Sequence, residues 1–530
     1  GTNRGTRMPS EKIKSWWGNL PKTAKTAFTT AMVAGILTHL FILTNKMFNY
    51  NEVSVLFLDE QEMLMGRMAE GRWLVGILGQ WIGGNYSMQA VAGLLGIFLL
   101  GLSAAMIVTL LNVDRQIYAG LIGAVMVVFP AVVSFMAFTQ LGDAWFMAVF
   151  FAVLAVFLAE KFRYGFAAAI VLVGASLAIH QAYISVAAAL MYGILFFELF
   201  RDKRTWKEEW KRVVRYLVIL LGGFIFYYVG VKASAALLQY SLSDYYGINE
   251  MTKFTPKGIC KGIVYAYLYF FRYFFTSHYY GSVVMVGINV VLALCLLCYA
   301  VHSIWKRPEK DSFVNRMWKV VLLGLLPMGC NCLPVLMADR VGAGVDRYMM
   351  YSLVFVWIIL LAAACDVEKL TSGKSPGVKL QKLFCTLVLV GVLIQIGHDY
   401  TMDNQAYYRE QAATEQMASY LNRVAARMEA VDGWDASMPV YIMMEEDLYP
   451  SYPVELPAFD SLKELRGTAY EPNFNERGLR RYMAYYMHFP LVEPTEEQIA
   501  GIQAKAADMP VYPAADSIQM VDGVLVVKIQ

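Results

Sequence analysis

Two acids, Asp59 and Glu60, stand directly behind the apolar run Val55–Leu58, in the stretch NYNEVSVLFLDEQEMLMGRMAEGRWLVGILGQWIGG from Asn49 to Gly84. A carboxylate at the rim of a bilayer is costly unless it is solvated or used. Held within about 3 Å of a hydroxyl, it can take that proton as a general base. The spacing has a second reading: Asp59-x-x-Glu62 is a capping box, which satisfies backbone N–H groups at a helix start. Asp143, in the turn Thr139-Gln140-Leu141-Gly142-Asp143, is either a further acid facing the same space or the cap of the next helix. His180-Gln181 lies at the apex between two apolar runs. A lone His there serves as a packed structural residue or as a substrate contact. Arg340 and Arg347 bracket a glycine-rich loop, Asp339-Arg340-Val341-Gly342-Ala343-Gly344-Val345-Asp346-Arg347-Tyr348. Guanidinium groups donate charge-assisted hydrogen bonds to phosphate oxygens. The alternative for Arg347, which enters an apolar run, is an ion pair with Asp346 or Asp339. Lys46, Arg67, Arg72, Lys253, Lys257, Lys261 and Arg272 are the other cations expected on this side before the C-terminal tail.

The elements that must carry these residues are apolar. The hydrophobic fraction is 58% and the charged fraction 16% of 530 residues, against about 45–50% and 25% in soluble domains. Mean hydropathy is +0.45. Such a chain cannot fold as a soluble globule, and disorder, which needs low hydrophobicity and high net charge, is excluded. A net charge of +3 gives no footprint for nucleic acid. Gly1–Arg7, ahead of Met8, read as a cloning remnant. Apolar runs near 27–44, 89–111, 118–138, 144–160, 166–180, 182–200, 215–237, 282–302, 318–338, 348–364 and 382–398 predict about eleven transmembrane helices. Basic residues concentrate in 201–215, 306–319 and 369–382, which makes those loops and the N-terminus cytoplasmic. The opposite side then holds loops 45–88 and 239–281, with the aromatic stretch 258–280 read as an interfacial or re-entrant helix, and everything after His398. Its aromatic residues form a membrane-interface belt, a wall for an isoprenoid tail or a platform for sugar rings. Seven cysteines lie mostly in apolar runs, and Cys295-x-x-Cys298 has no second pair to complete a zinc site.

Residues 399–530 have soluble character and predict a small α/β domain: helices at 405–430, 476–486 and 495–506, a strand at 438–444, and a hairpin around Asp522-Gly523. Residues 8–398 then form the membrane domain.

The run Asp59-Glu60-Gln61-Glu62-Met63-Leu64-Met65-Gly66-Arg67-Met68 resembles the acidic first external loop of many-span GT-C glycosyltransferases, and Gly71-Arg72-Trp73 is similar to the GRW signature of bacterial type II, serotype-converting O-antigen glucosyltransferases. The resemblance covers the whole membrane layout and stops at the C-terminal domain. It implies an inverting transfer of a sugar, glucose, from a polyprenyl-phosphate donor to a hydroxyl of a cell-surface glycan, at the outer face of a bacterial plasma membrane. Asp59 would be the general base, Glu60 and Asp143 its acidic partners, and Arg347 and Arg340 the donor-phosphate contacts. Arg72, His180, Lys253, Lys257 and Arg272 would border the substrate. A divalent cation on Asp59, Glu60 and Asp143 is the one cofactor it leaves open. The competing reading of the layout is a flippase or transporter of lipid-linked sugars without catalysis, which leaves the C-terminal domain without a role.

Overall fold

The computed structural model describes residues 18, 20–45, 47, 60–82, 89–138, 142–243, 255–280, 282–306, 313–337, 344–370, 377–444, 462, 476–489 and 491–529, without the side chains of 60, 79–82, 142, 143, 280, 413, 477 and 478. Among them, eight helices are long and apolar enough to cross a bilayer: Lys22–Thr44, Gln89–Leu110, Ala144–Lys161, Gln181–Phe200, Trp206–Leu238, Val283–Trp305, Arg347–Lys369 and Val378–Glu429. The protein is a polytopic helical membrane protein.

The other three expected spans are helical as well, one as a bent pair that makes nine candidates among the described residues, one as a shorter helix and one in three pieces. The 118–138 run becomes Gln116–Val128 and Ala131–Ala137, bent by 51°. Pro130, which cannot donate a backbone hydrogen bond, stands at the bend. The 166–180 run is the fifteen-residue helix Gly165–Ile179. The 318–338 run breaks into Phe313–Gly324, Leu326–Cys330 and Leu333–Leu336, the latter two carrying Pro327 and Pro334 in their first turns. Small residues let the spans approach closely. A Cβ on Gly123 would lie 2.2 Å from the Ala27 carbonyl oxygen.

The ends of the bundle differ in chemistry. At the basic end, charges are paired: Arg201 with Asp366 at 2.7 Å, Lys319 with Asp202 at 2.6 Å, and Arg212 with Glu209 at 2.6 Å. The other end carries the short helices Glu60–Ala69 and Trp73–Ile82, the 180–181 apex, and the aromatic helix Pro256–Phe275. That last helix is amphipathic. Gly258, Gly262, Ala266, Tyr269 and Tyr273 face the bundle, while Ile259, Ile263, Val264 and Phe271 are exposed.

The final membrane helix continues without a break into the soluble region. Val378–Glu429 has 52 residues, about 78 Å at 1.5 Å per residue, so the expected boundary near 398 falls inside one rod. Its end packs Leu421, Val424 and Met428 against Val440, Ile442, Leu525 and Val527 of a three-stranded sheet. The strands are β1 (Val440–Met443), β2 (Ile518–Val521) and β3 (Val524–Lys528), in the order β1-β3-β2. β1 and β3 run parallel, and β2 and β3 form an antiparallel hairpin. Asp522 and Gly523, at φ 49° and 82°, make its turn, the left-handed pair that matches strand twist. Helix Glu496–Ala507 covers the other face through Ile502 and Ala506, and Thr495 and Gln498 form a capping box at its start.

Candidate functional site

The Gly71-Arg72-Trp73 run is a folded turn. Gly71, at φ 70°, ends helix Glu60–Ala69 in a backbone conformation that side chains disfavour. Arg72 is buried and pairs with Glu70 at 2.7 Å. Trp73 opens the next helix, and its Nε1–H donates to the Tyr227 carbonyl at 3.2 Å. Its ring lies so close to Gly230 that a Cβ there would come within 2.4 Å. Gln181 from the apex ties the same turn down, donating to the Glu70 carbonyl at 3.1 Å and to the Tyr227 hydroxyl at 2.9 Å. The first-loop helix is thus clamped onto the apex.

His180 continues this contact inward. Its Nδ1 accepts from the Ala182 backbone N–H at 3.3 Å and so caps the 3-10 turn Gln181–Tyr183. Its ring sits edge-on to Trp145 and Tyr348, whose rings stack at 4.7 Å. Nε2 is buried without a hydrogen-bond partner among the described residues. The stack leads to Arg347, one residue before Tyr348.

Arg347 is 1% exposed. It begins the 3-10 segment Arg347–Val354, which runs into helix Phe355–Lys369. Its guanidinium lies 5.7 Å from the ring centre of Tyr273 and 5.1 Å from that of Tyr279, in cation–π range. Nε, Nη1 and Nη2 are all buried without a hydrogen-bond partner among the described residues. The expected ion pair with Asp346 therefore does not form, and Asp339 lies outside the described residues. Beside Tyr273, the aromatic helix lines an apolar groove of about 400 Å³ with Phe270, Phe274, Leu292, Leu296, Val356 and Trp357.

The remaining expected residues divide by what the structure describes. Asp59, Lys253 and Arg340 lie outside the described residues. Glu60 opens helix Glu60–Ala69 and Asp143 is second in Gly142–Lys161, with both side chains undescribed. The three carboxylates assigned to a divalent cation thus carry no described side chain. Among the described residues no group of three or more His, Cys, Asp or Glu gathers. Lys257 is exposed in the first turn of the aromatic helix. Arg272 is exposed, donates to His278 Nε2 at 2.7 Å, and lies 5.9 Å from the Tyr279 ring centre.

Sequence reasoning missed the long helix. Asp399 and Asp403 are buried, and both lie within electrostatic reach of Arg347. One turn on, Tyr407 bonds His39 of the first span at 2.6 Å, and His39 bonds the Val127 carbonyl at 2.8 Å. The signal was present: Gln395, Asp399, Asp403 and Tyr407 recur every four residues, which puts them on one helix face.

Residues 40–357 match the family described as Glucosyl transferase GtrII, more than half of the chain. The chain belongs to the GtrII glucosyltransferase family. The match takes in the first-loop turn, the apex and Arg347, and ends before Asp399 and the sheet domain. No curated protein and no solved structure matches the chain. Membership in the GtrII family supports a glycosyltransferase activity, with a sugar donor and a glycan acceptor, over the transporter reading.

Proposed function

We propose that this GtrII family member is an inverting transferase that moves glucose from polyprenyl phosphate to a hydroxyl of a cell-surface glycan. It works at the outer face of a bacterial plasma membrane, with its N-terminus in the cytoplasm and its sheet domain outside. The observation that carries this reading is a buried guanidinium over Tyr273, on the same helix whose next residue, Phe274, lines an apolar groove. Arg347 has three side-chain nitrogens without a hydrogen-bond partner among the described residues, suited to a phosphate whose charge grows as the sugar departs. The aromatic helix that flanks it lines a groove with almost no polar surface, suited to an isoprenoid tail. Arg340 joins Arg347 at the phosphate. Asp59, just ahead of helix Glu60–Ala69, takes the acceptor proton, and Glu60 and Asp143 orient the acceptor or hold a divalent cation. Lys253, Lys257, Arg272 and His180 border the substrates, while Arg72 is neutralised by Glu70 and holds the loop in shape.

The test is transfer of radiolabelled glucose from synthetic polyprenyl-phosphate glucose by the purified wild type and Asp59→Asn. The expected loss in Asp59→Asn is about 10²–10⁴ in rate, the usual size of general base catalysis, with donor binding intact. Equal rates in the two proteins would make Asp59 a helix cap. No transfer by the wild type would overturn the donor assignment. Full activity in EDTA would remove the divalent cation.

A further inference from the structure

Arg347 is one half of an unsatisfied pair. Its three side-chain nitrogens are buried with no acceptor, and both carboxylate oxygens of fully buried Asp403 have no donor among the described residues. No hydrogen bond joins them, yet the packing relates them: Arg347 lies over Tyr273, Tyr273 stacks on Phe129, and Val127, two residues before Phe129, is tied through His39 to Tyr407, one turn from Asp403. The neighbouring Asp399, 4% exposed, accepts from Gln395 Nε2 at 2.8 Å and lies 3.4 Å from His398 Nδ1. The Gln395 Oε1 is buried and unpartnered as well.

Leaving buried polar groups unmade is expensive, more so for charged ones. The gap between Arg347 and Asp403 therefore calls for a polar occupant, and its chemistry is constrained from both sides. A phosphate alone would satisfy Arg347 and be repelled by two aspartates. A metal ion alone would satisfy the aspartates and be repelled by Arg347. A hydroxyl accepts from a guanidinium N–H and donates to a carboxylate with the same oxygen. The rings of Tyr273 and Tyr279, within 5.7 Å and 5.1 Å of the guanidinium, add apolar faces of the kind that pack against the C–H surface of a pyranose. The acids are also held in register, because Tyr407, one turn beyond Asp403, is bonded to His39 and through it to Val127.

We propose that the gap between Arg347 and Asp403 binds hydroxyls of the transferred hexose, with Asp403 as a specificity-determining residue and Asp399 as a second acceptor. Arg347 then bridges two parts of one donor, sugar on one edge and phosphate on the other. This inference rests on the sugar-phosphate donor of the preceding section and adds which residues read its sugar.

The experiment uses the full-length wild type in detergent and a set of polyprenyl-phosphate glucose analogues, each lacking one hydroxyl. Each analogue competes with labelled parent donor for binding. At least one deletion is expected to weaken binding about 10- to 100-fold, the range for a hydrogen bond to a charged group. Replacement of the same hydroxyl by fluorine, which cannot donate, is expected to weaken binding comparably. In Asp403→Asn the parent donor should lose affinity while that deoxy analogue binds as it does to the wild type. Alike binding of all analogues by the wild type would overturn the inference even if the variant fails to fold. A uniform loss across analogues in a folded Asp403→Asn would overturn it too. Failure of the wild type to bind or transfer the parent donor would instead strike the donor assignment itself. Binding and transfer with a flat analogue profile would strike only the sugar-reading role.

Discussion

Arg72 and Arg347 are both buried arginines at the same end of the bundle, and they are treated oppositely. Arg72 is closed by Glu70 at 2.7 Å, inside a turn anchored by Gly71, Trp73 and Gln181. Arg347 meets aromatic rings and two aspartates that stop short of it. A buried charge with a close partner is compatible with a purely structural role. A buried charge without one raises the free energy of the folded state, since desolvation is not recovered. Arg347 is thus the arginine whose environment a ligand would complete. The basic end of the bundle treats Arg201, Lys319 and Arg212 as the turn treats Arg72, each with a carboxylate within 2.7 Å.

The contrast breaks or sharpens through three substitutions. The largest effect is expected for Arg347→Gln: transfer should fall about 10²–10³, the usual loss on removing one preorganised charge stabiliser. Its thermal transition in detergent should stay level or rise, because an unpaired buried charge has gone. A lowered transition with unchanged turnover per folded molecule would erase the distinction between the two arginines. Next is Arg72→Gln, which leaves the partly exposed Glu70 only its longer pairing with Arg67 at 3.8 Å among the described ion pairs. Stability should drop about 1–3 kcal/mol, read by thermal or denaturant unfolding, while turnover of the folded fraction is retained. Loss of turnover at full stability would move Arg72 into the substrate site. The smallest effect is expected for Gly71→Ala, where the left-handed backbone at φ 70° costs a side chain about 1 kcal/mol. A neutral result in the same unfolding measurement would show that the turn relaxes freely.

Much of the membrane domain was legible because its signals are local. Length and hydropathy mark a span within its own residues, so each apolar run became helix. What failed was continuity. Pro130, Pro327 and Pro334 are visible in the sequence, but hydropathy averages over a missing backbone donor, and two expected rods bend or break. The sheet domain read well for the same local reason: the Thr495 capping box and the Asp522-Gly523 turn depend on neighbours in sequence. The four-residue rhythm of Gln395, Asp399, Asp403 and Tyr407 was equally visible. The sequence reading divides it, with Gln395 in the last span and the other three in a soluble tail, because polar residues end the apolar run at 398.

The sequence by itself determined the class of protein: a chain too apolar for water, divided into bilayer-length helices, with an acidic first loop and a GRW run that fit its family. Only the tertiary structure decided which charges are satisfied. Residue type sets what Arg72 and Arg347 can donate, and Arg72 finds Glu70 two residues away, but the acids that face Arg347 lie on another helix, 52 and 56 positions along the chain at Asp399 and Asp403. Burial and pairing belong to neighbours in space, and the packing of the long helix against the first span, through Tyr407 and His39, brings those neighbours to Arg347.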